Sequence, residues 1–406
     1  MRAWTKGNGI ECGARIGALA TLWLVPVFIF TLAFSSGWVS TWRSFGVPAM
    51  TPQFLDLYSI PTAVETLHKG ADPLVMNWGD PYHRPMNYPR VWMYLFSAAR
   101  ITRDKITFAA LFLCASYLTC VSFLIARTTR AIEAIVILLA SLSVAPLFAI
   151  ERGNNDLAVF SLVFLACIVT NRHLKSGLFG MAGLLKFFPV AGMICEAIRR
   201  PTGKRKLAVL MTALVVFLIL VQWRDFVLIR HATPVVIRWS YGVLSLEAEL
   251  IHESLQLGAT LLGFGWVFGL ACLVACVATI SHVWKNPDEP GIPVSDSRYA
   301  EMFYVFGGIY VCTYAIGSNW DYRLVFLLPT LPLAMEMARD SRHRGWSIAY
   351  LVLVIVAENS LGFDASGGRI VGHIATLALF LMLVAKLTRQ TRTLLFGNRP
   401  LHLADA

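Results

Sequence analysis

Of the 406 residues, 57% are hydrophobic and only 15% charged, with a mean hydropathy of +0.62; a soluble chain carries about 45–50% apolar and about 25% charged residues. The apolar residues gather in runs near the ~20 residues that cross a bilayer, which excludes a soluble cytosolic enzyme, a nucleic-acid-binding domain and a disordered tail. The formal net charge of +11 follows from where the bases stand along the chain.

In chain order the runs fall at 17–36, 106–126, 131–150, 156–170, 207–223, 256–280, 299–317, 324–338, 346–360 and 371–387. They predict an all-α polytopic membrane protein, a single integral-membrane domain over 1–406 with about ten transmembrane helices. Arg2, Lys6 and Arg15 flank the first run as they would a signal peptide. The run is too long for the apolar part of one and lacks a small-x-small cleavage site, so it reads as an uncleaved helix. With that start inside, the bases Arg127 and Arg130, Arg199 to Lys206, Arg339 to Arg344 and Lys386 to Arg399 all become cytoplasmic. The positive-inside rule then accounts for the basic excess without a nucleic acid, and the C-terminus also returns to the cytoplasm.

Between the first two runs lies a long external loop, 37–105, with Pro48, Pro52, Pro61, Pro73, Pro81, Pro85 and Pro89. Prolines at that density forbid one long helix and favour short helices joined by turns. Trp38, Trp42, Trp78, Trp92, Tyr82, Tyr88 and Tyr94 suit the membrane interface. Farther on, 176–198 is apolar but basic on both flanks, so a single pass would put a basic flank outside. A broken or re-entrant helix pair parting near Lys186-Phe187-Phe188-Pro189 satisfies both flanks, and such a break is tolerated where it lines a cavity. Lys186 at the break is then a functional candidate, or a lysine that snorkels or pairs with an acid. A second external loop covers 224–256. The eight cysteines form neither a disulfide framework nor a zinc-ligand pattern and read as packing residues.

Three polar clusters stand at membrane ends. Asp56, within Phe54-Leu55-Asp56-Leu57-Tyr58, is an acid among apolar neighbours, suited to accept a proton from a hydroxyl or, more blandly, to cap a helix. Glu151-Arg152-Gly153-Asn154-Asn155-Asp156 has the residues of a tight turn. Ser318-Asn319-Trp320-Asp321-Tyr322-Arg323 runs into a helix with Pro329 and Pro332; Arg323 and Lys186 could each hold a phosphate, or Arg323 could anchor at the interface. Glu249, His252 and Glu253 share one helical face, which fits a solvated surface better than a metal site. No phosphate-cradling glycine loop, dinucleotide fingerprint or serine-nucleophile motif is present.

Read in order, four segments resemble the membrane glycosyltransferases of the GT-C class, closest to glycosyltransferase family 87, the polyprenyl-phosphate-mannose-dependent mannosyltransferases. They are Asp56-x-Tyr58 with Gly70-Ala71-Asp72-Pro73 and Asn87-Tyr88-Pro89; Arg152-Gly153-Asn154-Asn155-Asp156; the glycine-rich stretch Gly177 to Lys186-Phe187-Phe188-Pro189; and Asp321-Tyr322-Arg323-Leu324 before Leu327-Leu328-Pro329. Leu74, Arg90 and Asn154 depart from the residues common at their places. The resemblance implies a GT-C-like bundle and a hexosyltransferase. It would move a hexose, mannose in the first instance, from a polyprenyl-phosphate sugar donor to a lipid-linked or glycan acceptor, with inversion, on the outer or periplasmic face of a cell inner (cytoplasmic) membrane. It further implies Asp56 as general base, Lys186 and Arg323 at the donor phosphate, and Tyr58, Tyr88, Asn154, Asn155, Asp156 and Tyr322 at the substrate. Neither cofactor nor metal is expected; membrane lipid surrounds the chain. A transporter or flippase of a lipid-linked saccharide is the reading from another class, with the break at Lys186 and Pro189 as its gate. A sugar-polymer ligase of similar outline would differ in taking a preassembled glycan.

Overall fold

The computed structural model describes residues 9–199, 202–233, 239–256, 264–285, 298–317, 319–362 and 366–396. Helices dominate. α1 (Gly9–Ser36) is followed by three short helices, α2 (Trp38–Ser44), α3 (Leu55–His68) and α4 (Val91–Ala98), and then by α5 (Ile106–Ala126). α6 (Ala131–Ser141) and α7 (Val144–Arg152) are two halves bent by 48°, and α8 (Asp156–Ile168) comes next. α9 (Arg172–Leu185) and α10 (Pro189–Arg199) precede α11 (Thr202–Val221), which turns by 74° into α12 (Trp223–Ala232). The remainder is α13 (Val243–Gln256), α14 (Phe264–Lys285), α15 (Arg298–Ile316), a 3-10 stretch Asp321–Thr330, α16 (Leu331–Met337), α17 (Arg344–Asn359) and α18 (Ser366–Phe396). A ribbon of two short strands, β1 (Ser240–Tyr241) and β2 (Asn319–Trp320), pairs Ser240 with Trp320 and Tyr241 with Asn319 in antiparallel register.

The all-α, membrane-spanning character expected from the sequence is present, but ten crossings are not. Among the described residues four helical segments are long and apolar enough to cross, Gly9–Ser36, Arg103–Ala126, Arg344–Gly362 and Arg369–Leu394, or six when each bent pair counts as one span. The shortfall has physical causes. The run at 156–170 folds as a helix of only 13 residues. That at 324–338 is a 3-10 stretch with Pro329 inside it, followed by a short helix, and is buried in protein along nearly its whole length. The run at 299–317 becomes α15, an interior helix whose Tyr304, Tyr310 and Tyr314 are buried. Part of 256–280 lies outside the described residues, as do Arg2, Lys6, Arg200, Ser318 and Arg399. The aromatic core joins α8, α15 and the 3-10 stretch, with Phe160 packed on Phe306 (5.6 Å) and Phe326 (6.0 Å). The seven cysteines whose side chains are described are all free thiols.

Side-chain contacts sort the connections onto two ends. Arg15 near the start of α1 donates to the Thr128 carbonyl at 3.2 Å, and the Tyr299 hydroxyl to that of Arg127 at 3.3 Å. Arg339 pairs with Glu133. The basic connections therefore gather where α1 begins, the pattern that positive-inside sorting produces. α9 starts at this end, and Lys175 binds Glu301; α10 finishes here, with Arg199 3.4 Å from the same glutamate. Between them Lys186 leaves the helix in extended conformation (φ −148°, ψ 143°). The sequence reading of a broken pair near 176–198 is thus met by a hairpin whose two basic flanks share one acid. Its tip reaches the opposite end, where Asp156 lies 3.1 Å from Lys186.

Candidate functional site

The first loop builds one wall. Phe54 takes a left-handed turn (φ 56°) ahead of α3 and buries its ring against Trp38 at 4.9 Å, which fixes where the helix begins. Asp56 follows in the first turn, a position at which the helix dipole favours a carboxylate. Leu55 and Leu57 on either side are buried, whereas the Asp56 side chain keeps 13% exposure. It opens on a narrow cleft, about 30 Å³ in volume, also lined by Ser59, Arg84, Tyr88, Trp320 and Tyr322.

The turn between α7 and α8 supplies the second wall. Gly153 adopts left-handed backbone (φ +54°), and the Asn154 N–H closes back on the Ala149 carbonyl at 2.9 Å, a glycine-terminated helix end. That closure presents the Asn154 side chain. Its amide nitrogen donates to Asp56 Oδ2 at 2.7 Å, and its oxygen accepts the Asp156 N–H at 2.8 Å. With both amide ends occupied, Asn154 holds one carboxylate oxygen and leaves Asp56 Oδ1 out of that bond. Arg84 Nη1 lies 3.8 Å from that oxygen. Arg84 is steadied by Asp80 (Nη2 to Oδ2, 2.9 Å) and by the Leu55 carbonyl (3.2 Å). Burial works against the Arg84 charge, but Asp80 and Asp56 outweigh it and hold the guanidinium more firmly protonated than usual. Burial, then Asp56 and Tyr322, push the Tyr88 phenol well above its ordinary value, so it is a hydrogen-bond donor and not a base.

Behind the cleft sits a buried ion cluster. Asp156 is fully enclosed, with Lys186 Nζ 3.1 Å from Oδ1 and Arg323 Nε 3.1 Å from Oδ2. Lys186 also lies 4.3 Å from the centre of the Tyr88 ring, and Arg323 5.2 Å from that of Phe188. Arg323 donates further to Asn319. Of the residues expected at the substrate, the fold brings Tyr88 and Tyr322 into the cleft with Asp56, and Asn154 directly behind it. Asp156 does not line the cleft; it neutralises the two cations expected at a phosphate. Asn155 is buried, and neither amide atom finds a hydrogen-bond partner among the described residues. Tyr58 is turned away, with the Arg103 guanidinium 5.8 Å over its ring.

Arg84, Asp80 and Trp320 escaped the sequence reading as site residues. The signal for Arg84 was faint: an Asp four residues before an Arg, in a proline-rich loop where that spacing does not signify a helix. Elsewhere, Glu249 pairs with Arg369 at 3.0 Å, and the side chains of His252 and Glu253 lie outside the described residues. No cluster of three His, Cys, Asp or Glu side chains able to hold a metal occurs among the described residues. Comparisons of the chain with protein-family models, with curated proteins and with solved structures return no match.

Proposed function

We propose that the protein is an integral-membrane glycosyltransferase of GT-C-like architecture. It takes a hexose, mannose in the first instance, from a polyprenyl-phosphate donor to a lipid-linked or glycan acceptor at the cleft around Asp56. One observation carries this reading. A carboxylate that lines a cleft is held by one oxygen (Asn154, 2.7 Å), and a guanidinium stands 3.8 Å from the other. Transfer to a hydroxyl needs a base for the proton and positive charge for the phosphate that leaves. The acceptor oxygen attacks the anomeric carbon from the face opposite the phosphate, and its proton passes to Asp56. The bond between that carbon and the phosphate oxygen breaks, and the lipid phosphate departs with the electron pair beside Arg84. Attack from the opposite face inverts the configuration.

The phosphate role moves here from Lys186 and Arg323 to Arg84, because the first two are enclosed with Asp156 behind the cleft, whereas Arg84, though bound to Asp80, lines the cleft beside Asp56. Their place in the reaction is to seat Tyr88 and the strand residues that form the far wall. The basic connections lie at the other end of the molecule, which under the positive-inside rule supports a cleft on the external face of a cytoplasmic membrane.

The test is transfer of labelled sugar from polyprenyl-phosphate mannose into lipid extract by the purified protein beside Asp56→Asn. Loss of a positioned base lowers transfer by about 10²–10⁴-fold, with donor binding retained. Equal product from both proteins would refute the assignment of the base. No product from any lipid-phosphate sugar, together with movement of lipid-linked saccharide across liposomes, would replace the enzyme with the transporter.

A further inference from the structure

At the end of the molecule away from Asp56, a lateral cleft of about 600 Å³ opens between α14, α17 and α18. Lys386 and Arg389 enter it from α18, and Arg342 and His343 from the connection ahead of α17; His282 adds an imidazole from α14. Lys386, Arg389 and His343 are buried, and Lys386 lies 5.1 Å from the centre of the Trp346 ring. Among the described residues no acid lines the cleft, and Asp340 pairs with exposed Arg342 at 3.2 Å.

Depth and shape say what such a cleft would take. α17 enters its apolar span at Arg344, so Trp346 and the bases sit where the hydrocarbon ends and the headgroups begin. Val283, Ala278, Ala385 and Thr279 make up the remaining, mostly apolar wall. On α14, whose Leu273–Lys285 part is a shorter apolar helix, Leu273, Val274 and Val277 are exposed apolar side chains one to two turns before the cleft, a surface on which acyl chains can lie. A charged headgroup pocket with exposed apolar side chains on the same helix matches a phospholipid rather than a soluble anion. Basic pockets between helices on the cytoplasmic side are the setting in which anionic headgroups are held.

We propose that this cleft binds an anionic phospholipid, its phosphate among Arg342, Lys386 and Arg389 and its acyl chains along α14. The proposal stands on this end of the fold alone and does not depend on the reaction assigned to Asp56.

The experiment uses the full-length chain, purified, stripped of lipid and titrated with phosphatidylglycerol or phosphatidylcholine while bound lipid is counted by native mass spectrometry. Phosphatidylglycerol is expected to bind and phosphatidylcholine to bind at least about tenfold more weakly, since each base near a headgroup contributes about a fivefold preference. Arg342→Gln, at an exposed position (74% of the side chain) that the fold does not need, should weaken phosphatidylglycerol about fivefold, and Arg342→Gln/Lys386→Gln about 25-fold. Should the double variant fail to fold, the single one still decides. Unchanged affinity in Arg342→Gln, or equal binding of the two lipids, would overturn the proposal. Inorganic phosphate displacing the lipid at equal concentration would overturn it too, by making the cleft a site for a soluble anion.

Discussion

Replacing Asp156 with alanine is the sharpest probe of the ion cluster behind the cleft. The side chain is 0% exposed, and the cations it holds, each 3.1 Å away, are themselves nearly enclosed, Lys186 at 5%. Removing one partner of a buried pair costs about 3–5 kcal/mol, because the other is left charged and unsolvated. Asp156→Ala leaves two such charges, so its cost belongs at or above the top of that range. Lys186→Met leaves Asp156 with Arg323, still a pair, and should cost less. Exchanging all three for apolar residues of similar volume should recover much of the loss. Unfolding in detergent, followed by tryptophan fluorescence at one fixed scan rate, reads the order. At the scaling of mid-sized soluble domains, 3–5 kcal/mol corresponds to a fall of roughly 6–20 °C. A fall of under ~2 °C for Asp156→Ala, or a larger one for Lys186→Met, would refute the charge-compensation argument.

Asn154→Ala removes a hydrogen bond to a charged oxygen, worth about 1.5–3 kcal/mol, so sugar transfer should fall roughly 10- to 150-fold with the fold intact by circular dichroism. Gly153→Ala would place a Cβ 3.0 Å from that of Phe54 and 3.1 Å from that of Ala110, in left-handed backbone; a loss of about 1–3 kcal/mol is expected in equilibrium unfolding. Asp72 gives a pH dependence. Burial opposes its charge, but the Arg90 hydrogen bonds (2.9 and 3.0 Å) outweigh it and hold the carboxyl below its ordinary 3.8. A depressed acid contributes stability above its unfolded value and loses it as pH falls through the folded one. Stability should therefore drop below about pH 4, and Arg90→Gln should flatten that limb; an identical acid limb in the variant would count against the assignment.

How much of this was legible beforehand depends on the length of the signal. The hairpin at α9 and α10 could be read because two basic flanks and a proline constrain an apolar segment to return, and Glu301 now explains what receives both flanks. The short helices of the first loop followed from its prolines. The number of crossings was not legible. An apolar run is the same on paper whether lipid or protein surrounds it, and α15 and the 3-10 stretch are apolar because they are the core. At the site, Asp56 and Asn154 were identifiable as unusual polar residues at membrane ends. That Asn154 binds Asp56 across 98 positions, or that Asp156 takes both cations, is a matter of tertiary packing with no local trace.

The hairpin tip can exist only because the first loop completes its hydrogen bonding. In an unbroken helix the Leu185 carbonyl would accept from residue 189, but that residue is Pro189 and has no N–H. The Trp92 indole supplies the missing donor at 2.9 Å, from α4. Tyr88 of the same loop covers Lys186. Trp92→Phe keeps most of the packing and deletes the donor, which leaves a buried carbonyl unpaired at about 1–3 kcal/mol. Lost packing alone would spread through the first loop. A lost donor should instead raise hydrogen exchange locally, over 183–190, while α5 and α15 keep their protection. Exchange at the tip equal to that of the native chain would mean that the Leu185 carbonyl finds water or another partner, and that loop and hairpin are not one unit.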